Sequence, residues 1–370
     1  MYSAAVVSRS LAPLLVTLVL AGCAGKRAAP KPPIFPLTAA WKTLLGDFVT
    51  APLAQDSRRV YVATRDGTVR SLDQSTGEVA WKADGLPGRL SAAEGTLLVR
   101  GEDGTLWSLQ PRTGAVRWKT ETGVAGTLPA VVDGDLTLVA GRGLAALDLG
   151  SGRVLWSDAS GADTTALPVS VGSRLLAGEG DGTLRCRDRA TGSSLWTLRT
   201  SGALMAPPLA DEEHRRLYLG TGDNRILQVS LDKGKSGWNW RVGADVGYAG
   251  LLLPGQILFA PKDAVLYSFR RGGNLAWRRA LPSRPLSAPL SLGGHVLVAC
   301  LENELVAFDS DTGARTGGLR TSAEIRTPPI VAGGYVIVGL RDRSVIAYAL
   351  PGTLPPPPPE PPVAPPPAGQ

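Results

Sequence analysis

The 370-residue chain is poor in the side chains most enzymes use: it has two histidines and three cysteines. His214 lies in the loop sequence DEEHRR and His295 in HVLVAC, and neither stands in a nucleophile-elbow or metal-ligand spacing. No Cys-x-x-Cys occurs, which removes thiol redox exchange and a zinc site of that kind. The expectation is no catalytic residue, no cofactor and no metal. Charged residues make up 19% with a net +7, and basic residues never run longer than a pair such as Arg215-Arg216. That pattern is a solvated surface, and no nucleic-acid partner is expected. The apolar run at 11–20 is too short to cross a bilayer as a helix. The β-rich runs LYLGTGDNRILQVSL and HVLVACLENELVAFD carry no helical periodicity.

What the chain does have is a repeat. DGTVRSLDQSTGEVAW at 66–81 recurs as DGTLWSLQPRTGAVRW at 103–118 and DGTLRCRDRATGSSLW at 181–196. A variant, GRGLAALDLGSGRVLW, occupies 141–156, and further copies lie at 223–238, 263–277 and 302–317. Their ends are Trp41, Trp81, Trp118, Trp156, Trp196, Trp238, Trp277 and, breaking the series, Gly317; the spacings are 40, 37, 38, 40, 42, 39 and 40 residues. A period near 40 with strand–turn–strand content points to propeller blades of four antiparallel strands. Asp-Gly and Thr-Gly supply the positive φ that tight turns need. One large flat ring per unit suits the wedge between blades, with an aromatic ligand cage as the other use. Asp73, Asp148, Asp188 and Asp309 recur four residues before the turn glycine, a position for turn hydrogen bonding.

The unit at 328–350 has three strands and lacks the fourth, whereas Thr38–Leu44 around Trp41 is a fourth strand without a blade. Pairing the two closes a ring. The expectation is therefore all-β: an eight-bladed propeller over 38–350, with the N-terminal strand completing the last blade and no open edge. Cys186 and Cys300 fall in different strands three units apart, so they are expected as buried free thiols.

Flanking segments read differently. Residues 1–22 carry Arg9, the apolar run and Leu20-Ala21-Gly22 before Cys23, a lipoprotein signal peptide with Cys23 as the lipidated residue. Ala24 in place of aspartate favours the outer membrane, with the chain anchored on its periplasmic face. Residues 23–37, rich in proline and basic residues, read as a tether. Residues 351–370 hold eleven of the thirty prolines and read as a disordered tail, either wall-crossing and solubilising or a ligand for a proline-binding module. Function in a propeller sits on loops that break the pattern, here 199–208, 211–216 and 243–253.

The unit D-G-T-x-x-x-L-D-x-x-T-G-x-x-x-W resembles the repeat of pyrroloquinoline-quinone dehydrogenases and their relatives. With the lipobox, length and blade count, the chain is similar to the outer-membrane protein assembly factor BamB family. That resemblance implies a non-catalytic scaffold, monomeric within a complex, whose partner is a periplasmic domain of a BamA-like assembly protein. The family's contacts, a Leu-x-Leu-Arg and an Asp-x-Asp element, correspond to 198–208 and 241–250. Neither element is present here; Leu204 and Asp245 stand nearest, with Met205 and Tyr248 as further candidate contacts. A quinone-dependent dehydrogenase would need calcium ligands and usually a vicinal Cys-Cys, and no two cysteines are adjacent. A lineage-specific lipoprotein binding another envelope protein or a cell-wall glycan is the remaining alternative.

Overall fold

The repeat builds a ring of sheets. In a computed structural model, which describes residues 31–50 and 52–353, the chain divides into two units, 1–31 and 32–370. Among the described residues the second unit is all strand and turn, in eight antiparallel sheets. Blade one spans 54–83, and blades two to seven follow at 89–121, 131–163, 169–199, 209–241, 251–280 and 290–320. Each is a meander from an inner to an outer strand. In blade three the two central strands merge into one element, Leu136–Asp148, which pairs with both neighbours. Turns joining first to second and third to fourth strands lie on one face, the turn face. The central hairpins and inter-blade loops lie on the other, the loop face.

Blade eight is composite, as expected. Its sheet order runs from Thr38–Leu44 to Ser344–Ala349, Tyr335–Gly339 and Ile330–Ala332. The closing register pairs Thr38 with Ala349 and Leu44 with Ser344. A register shift between Ala39 and Trp41 leaves one extra residue just before the tryptophan. The same bulge precedes Trp81 in blade one and Gly317 in blade seven. A bulge re-aims the following side chain, and here it turns the ring toward the next blade.

The tryptophans are joints between blades. A Cβ added to Gly77 would stand 2.4 Å from the Trp41 ring, and one added to Gly234 would stand 2.4 Å from Trp196. Only a glycine allows the ring so close, and its φ of 73° or 62° also makes the turn. The indole N–H then bonds a carbonyl of the same turn: Trp41 to Gln74 at 2.9 Å, Trp81 to Pro111 at 2.8 Å, Trp196 to Leu231 at 3.1 Å. Trp118, Trp156 and Trp238 repeat this with Leu149, Arg189 and Arg271. Trp277 keeps the ring contact on Gly313 but not the bond. The carbonyl at its equivalent position, Ser310, accepts from Gln256 at 2.6 Å instead.

Gly317 is explained by the closure. Its ring would dock on the turn between the third and fourth strands of blade eight, and these strands are not consecutive in the chain. The place is filled from elsewhere: a Cβ on Gly317 would lie 2.5 Å from the Phe35 ring. Ile34 and Leu37 are buried beside it, and His295 Nε2 donates to the Pro32 carbonyl at 3.0 Å. Residues 32–37, expected as tether, are thus part of the packed body, and the boundary moves to 31/32.

Cys186 and Cys300 are buried free thiols in blades four and seven, with burial pushing their pKa up to about 11 and about 12. The recurrent aspartates cap their turns: Asp73 accepts from the Ser75 and Thr76 amides, and Asp188 from those of Ala190 and Thr191.

Candidate functional site

Two inter-blade loops and one hairpin enclose a depression of about 560 Å³ on the loop face at blade five. It is lined by Met205, Asp223, Asn224 and Asp245 with the backbone of Gly202 and Gly222. The segments 198–208 and 241–250, singled out separately in the sequence, meet here.

Each loop is held by a buried plug. Leu204, 2% exposed, packs under blades four and five. A Cβ on Gly178 would come within 2.9 Å of it, and the Thr165 hydroxyl donates to its carbonyl at 2.7 Å. In the next loop Val246 is 1% exposed and fills the space over Gly220, whose added Cβ would lie 2.3 Å away. With the plug turned in, its neighbour is displayed. Met205 is 50% exposed, and Asp245 meets Lys262 Nζ at 2.6 Å.

Leu204 is accordingly a packing residue and not a surface anchor, which corrects its place in the expected contact set. Tyr248 is half-buried, and burial raises its hydroxyl pKa. Asp245 remains at the rim. Cys23 lies outside the described residues.

The hairpin at 222–224 is held by side-chain hydrogen bonds. Asn224 takes a left-handed φ of 67°. Burial pushes the Asp223 carboxyl up, but hydrogen bonds from Ser201 at 2.5 Å and Thr221 at 2.6 Å outweigh this and leave it below its ordinary value. It is an acceptor already in use, not a proton donor. The depression therefore offers a soft thioether, fixed carboxylates and glycine backbone, a surface for contact.

Among the described residues, Asp211, Glu213 and His214 are the group whose ligand atoms could gather on a metal ion, all within 4.8 Å. Asp211 is committed otherwise: Arg271 Nε, from the next blade, donates to it at 2.6 Å and His214 Nδ1 lies at 2.9 Å. This is a brace across a seam. A second brace has no carboxylate. Arg100, 1% exposed, donates to the carbonyls of Leu128, Ala140 and Val124 at 2.5, 2.5 and 2.9 Å, and burial lowers its pKa to about 10.

The fold and the repeat define the class: an eight-bladed β-propeller of the pyrroloquinoline-quinone-repeat type. The model of the outer membrane protein assembly factor BamB family matches residues 38–128, 65–168, 140–272 and 262–353, and the chain belongs to that family. A BamB of Legionella pneumophila is 27% identical over 182 residues, 46% of this chain and 47% of the relative; the match thus spans about half of that relative's length. The crystal structure of BamB from Moraxella catarrhalis superposes with a TM-score of 0.73 at 20% identity, covering 85% of this chain and all of that one. A quinohemoprotein alcohol dehydrogenase from Comamonas testosteroni shares the fold at a TM-score of 0.69 and 13% identity, over 84% of this chain and 76% of that one.

Proposed function

We propose that the chain is a non-catalytic scaffold of the outer membrane's periplasmic face that assists assembly of β-barrel outer-membrane proteins. It does so by docking a periplasmic domain of a BamA-like partner. The family match over 38–353 carries this reading. The meeting of 198–208 and 241–250 in one depression supports a contact there, with Met205 as apolar anchor and Asp245 at the rim. Lipidation at Cys23, after cleavage of residues 1–22, supplies the anchor in this reading.

Gentle solubilisation and capture of a C-terminally tagged chain tests the partner. Recovery of a BamA-like protein, weakened by Met205→Glu, is the expected result. Its reproducible absence beside an unrelated envelope protein moves the chain to the lineage-specific reading, which the absence of both family contact elements favours. Cys23→Ala should leave the precursor unprocessed by the lipoprotein peptidase; normal processing of that variant overturns the anchor.

A further inference from the structure

The seam between blades eight and one carries a second feature, away from the depression at blade five. A notch of about 340 Å³ on the loop face is lined by Phe48, Val49, Arg65, Arg326, Leu340 and Arg341. The guanidinium carbons of Arg65 and Arg343 lie 5.0 and 4.9 Å from the centre of the Phe48 ring. Neither arginine forms an ion pair among the described residues. Arg326 and Arg341 share one carboxylate, Glu324, at 3.5 and 2.8 Å, with their side chains 47% and 63% exposed. The other nearby carboxylates are engaged. Asp342 is held by Lys42 at 2.7 Å and Ser344, Asp66 by the Thr64 hydroxyl and the Thr68 amide, and Asp47 by the Phe48 amide. Four guanidiniums thus gather at this seam beside Phe48 and Val49, two paired with Glu324 and two with no ion pair among the described residues.

Arg343 also takes the left-handed position of its hairpin. The central hairpins of blades one, two and four place Gly67, Gly104 and Gly182 at the left-handed position. Blades five, six and seven place Asn224, Ala264 and Asn303 there, and blade eight places Arg343, with a φ of 65°. A long side chain in that conformation is strained, and such outliers mark functional positions more often than chance.

We propose that this notch docks an acidic segment of a partner protein, a run with spaced carboxylates and aliphatic side chains between them. The guanidiniums are spread over two blades in place of converging on one point, which suits several carboxylates better than a single phosphate. Phe48 and Val49 receive the aliphatic groups. The site is independent of the docking reading above and stands or falls separately.

The test is fluorescence anisotropy of the purified protein with a labelled eight-residue peptide alternating glutamate and leucine, at about 50 and 200 mM salt, where charge screening differs. Binding should weaken at the higher salt and fall at least tenfold in Arg65→Glu/Arg343→Glu. Arg112→Glu/Arg117→Glu changes net charge equally on the turn face and should leave binding intact. Arg343→Gly should weaken binding while raising the melting temperature, which separates lost docking from lost folding. Equal weakening by both charge-reversal pairs, no peptide binding at low salt, or binding only to phosphatidylglycerol vesicles overturns the proposal.

Discussion

At the scale of single residues, the joints divide the energetics into two separable parts. A ring stacked on a turn glycine excludes water, and its N–H satisfies a carbonyl. Trp196 has both and Trp277 only the first. Replacing Trp196 by Phe leaves the Leu231 carbonyl without its donor, a loss of about 1–3 kcal/mol beyond the packing change. Trp277→Phe loses no such bond. Urea denaturation of the two variants should show Trp196→Phe to be the more damaging by about that margin. Arg100→Lys should also destabilise, because one ammonium cannot span three carbonyls as a planar fork does. The turn aspartates give a pH signature. Asp66, Asp73, Asp103, Asp181 and Asp188 all have folded pKa values below 3.8, held there by hydrogen bonds to turn amides and hydroxyls, against the burial that tends to raise Asp73. Groups depressed on folding contribute stability above the unfolded value and lose it as pH falls through the folded one. The melting temperature should therefore be insensitive to these groups near neutrality and fall as the pH drops below about 4, checked by thermal melts across an acidic series.

At the scale of elements, the closing strand and the segment ahead of it do different work. Thr38–Leu44 contributes a backbone ladder, and residues 32–37 contribute Phe35 in place of the missing tryptophan joint. A chain starting at residue 38 should melt several degrees lower than one starting at 32, and a chain starting at 45 lower still. Equal melting of the first two would mean that the Phe35 contact contributes nothing. The blades, turns and composite closure were legible because a 40-residue period, Asp-Gly turns and an orphan strand are local signals. Phe35 was not, since its apolar neighbours Ile34 and Leu37 stand among prolines, and its partner Gly317 is far away in sequence. The Leu204 error has the same origin. Sequence shows that a loop has an apolar residue but not which way it faces, and here Leu204 fills the space over Gly178 and Met205 takes the surface. The arginine notch left one trace, an Arg where the hairpins of blades one, two and four have Gly.

At the scale of the whole ring, the contacts that close it come from both ends of the chain. Residues 32–37 enter along the turn face of blade seven, where Pro32 meets His295. After Ala349 the chain stays on the turn face, where the Leu350 amide and Thr353 hydroxyl bond the Gly334 carbonyl. Among the described residues, those nearest the two ends, 32–37 and 350–353, lie on the turn face, away from the two proposed docking surfaces. Because the joining strands are about three hundred residues apart, closure waits for nearly the whole chain, and long-range pairing of this kind is slow. Refolding from urea should show strand formation ahead of a slower phase in which the Phe35 contact forms, followed by tryptophan fluorescence and by protection of the 38–44 amides from exchange.

Thr38 faces Ala349 across the ladder, so a circular permutant can join them by a four- or five-residue Thr-Gly turn and open the chain between two other blades. Blade eight would then own the turn it now lacks. In the natural chain Gly317→Trp drives a ring into Phe35 and should destabilise. In the permutant freed of 32–37, the same substitution should stabilise by completing the eighth joint. The glycine would then be seen as a scar of where this ring is cut.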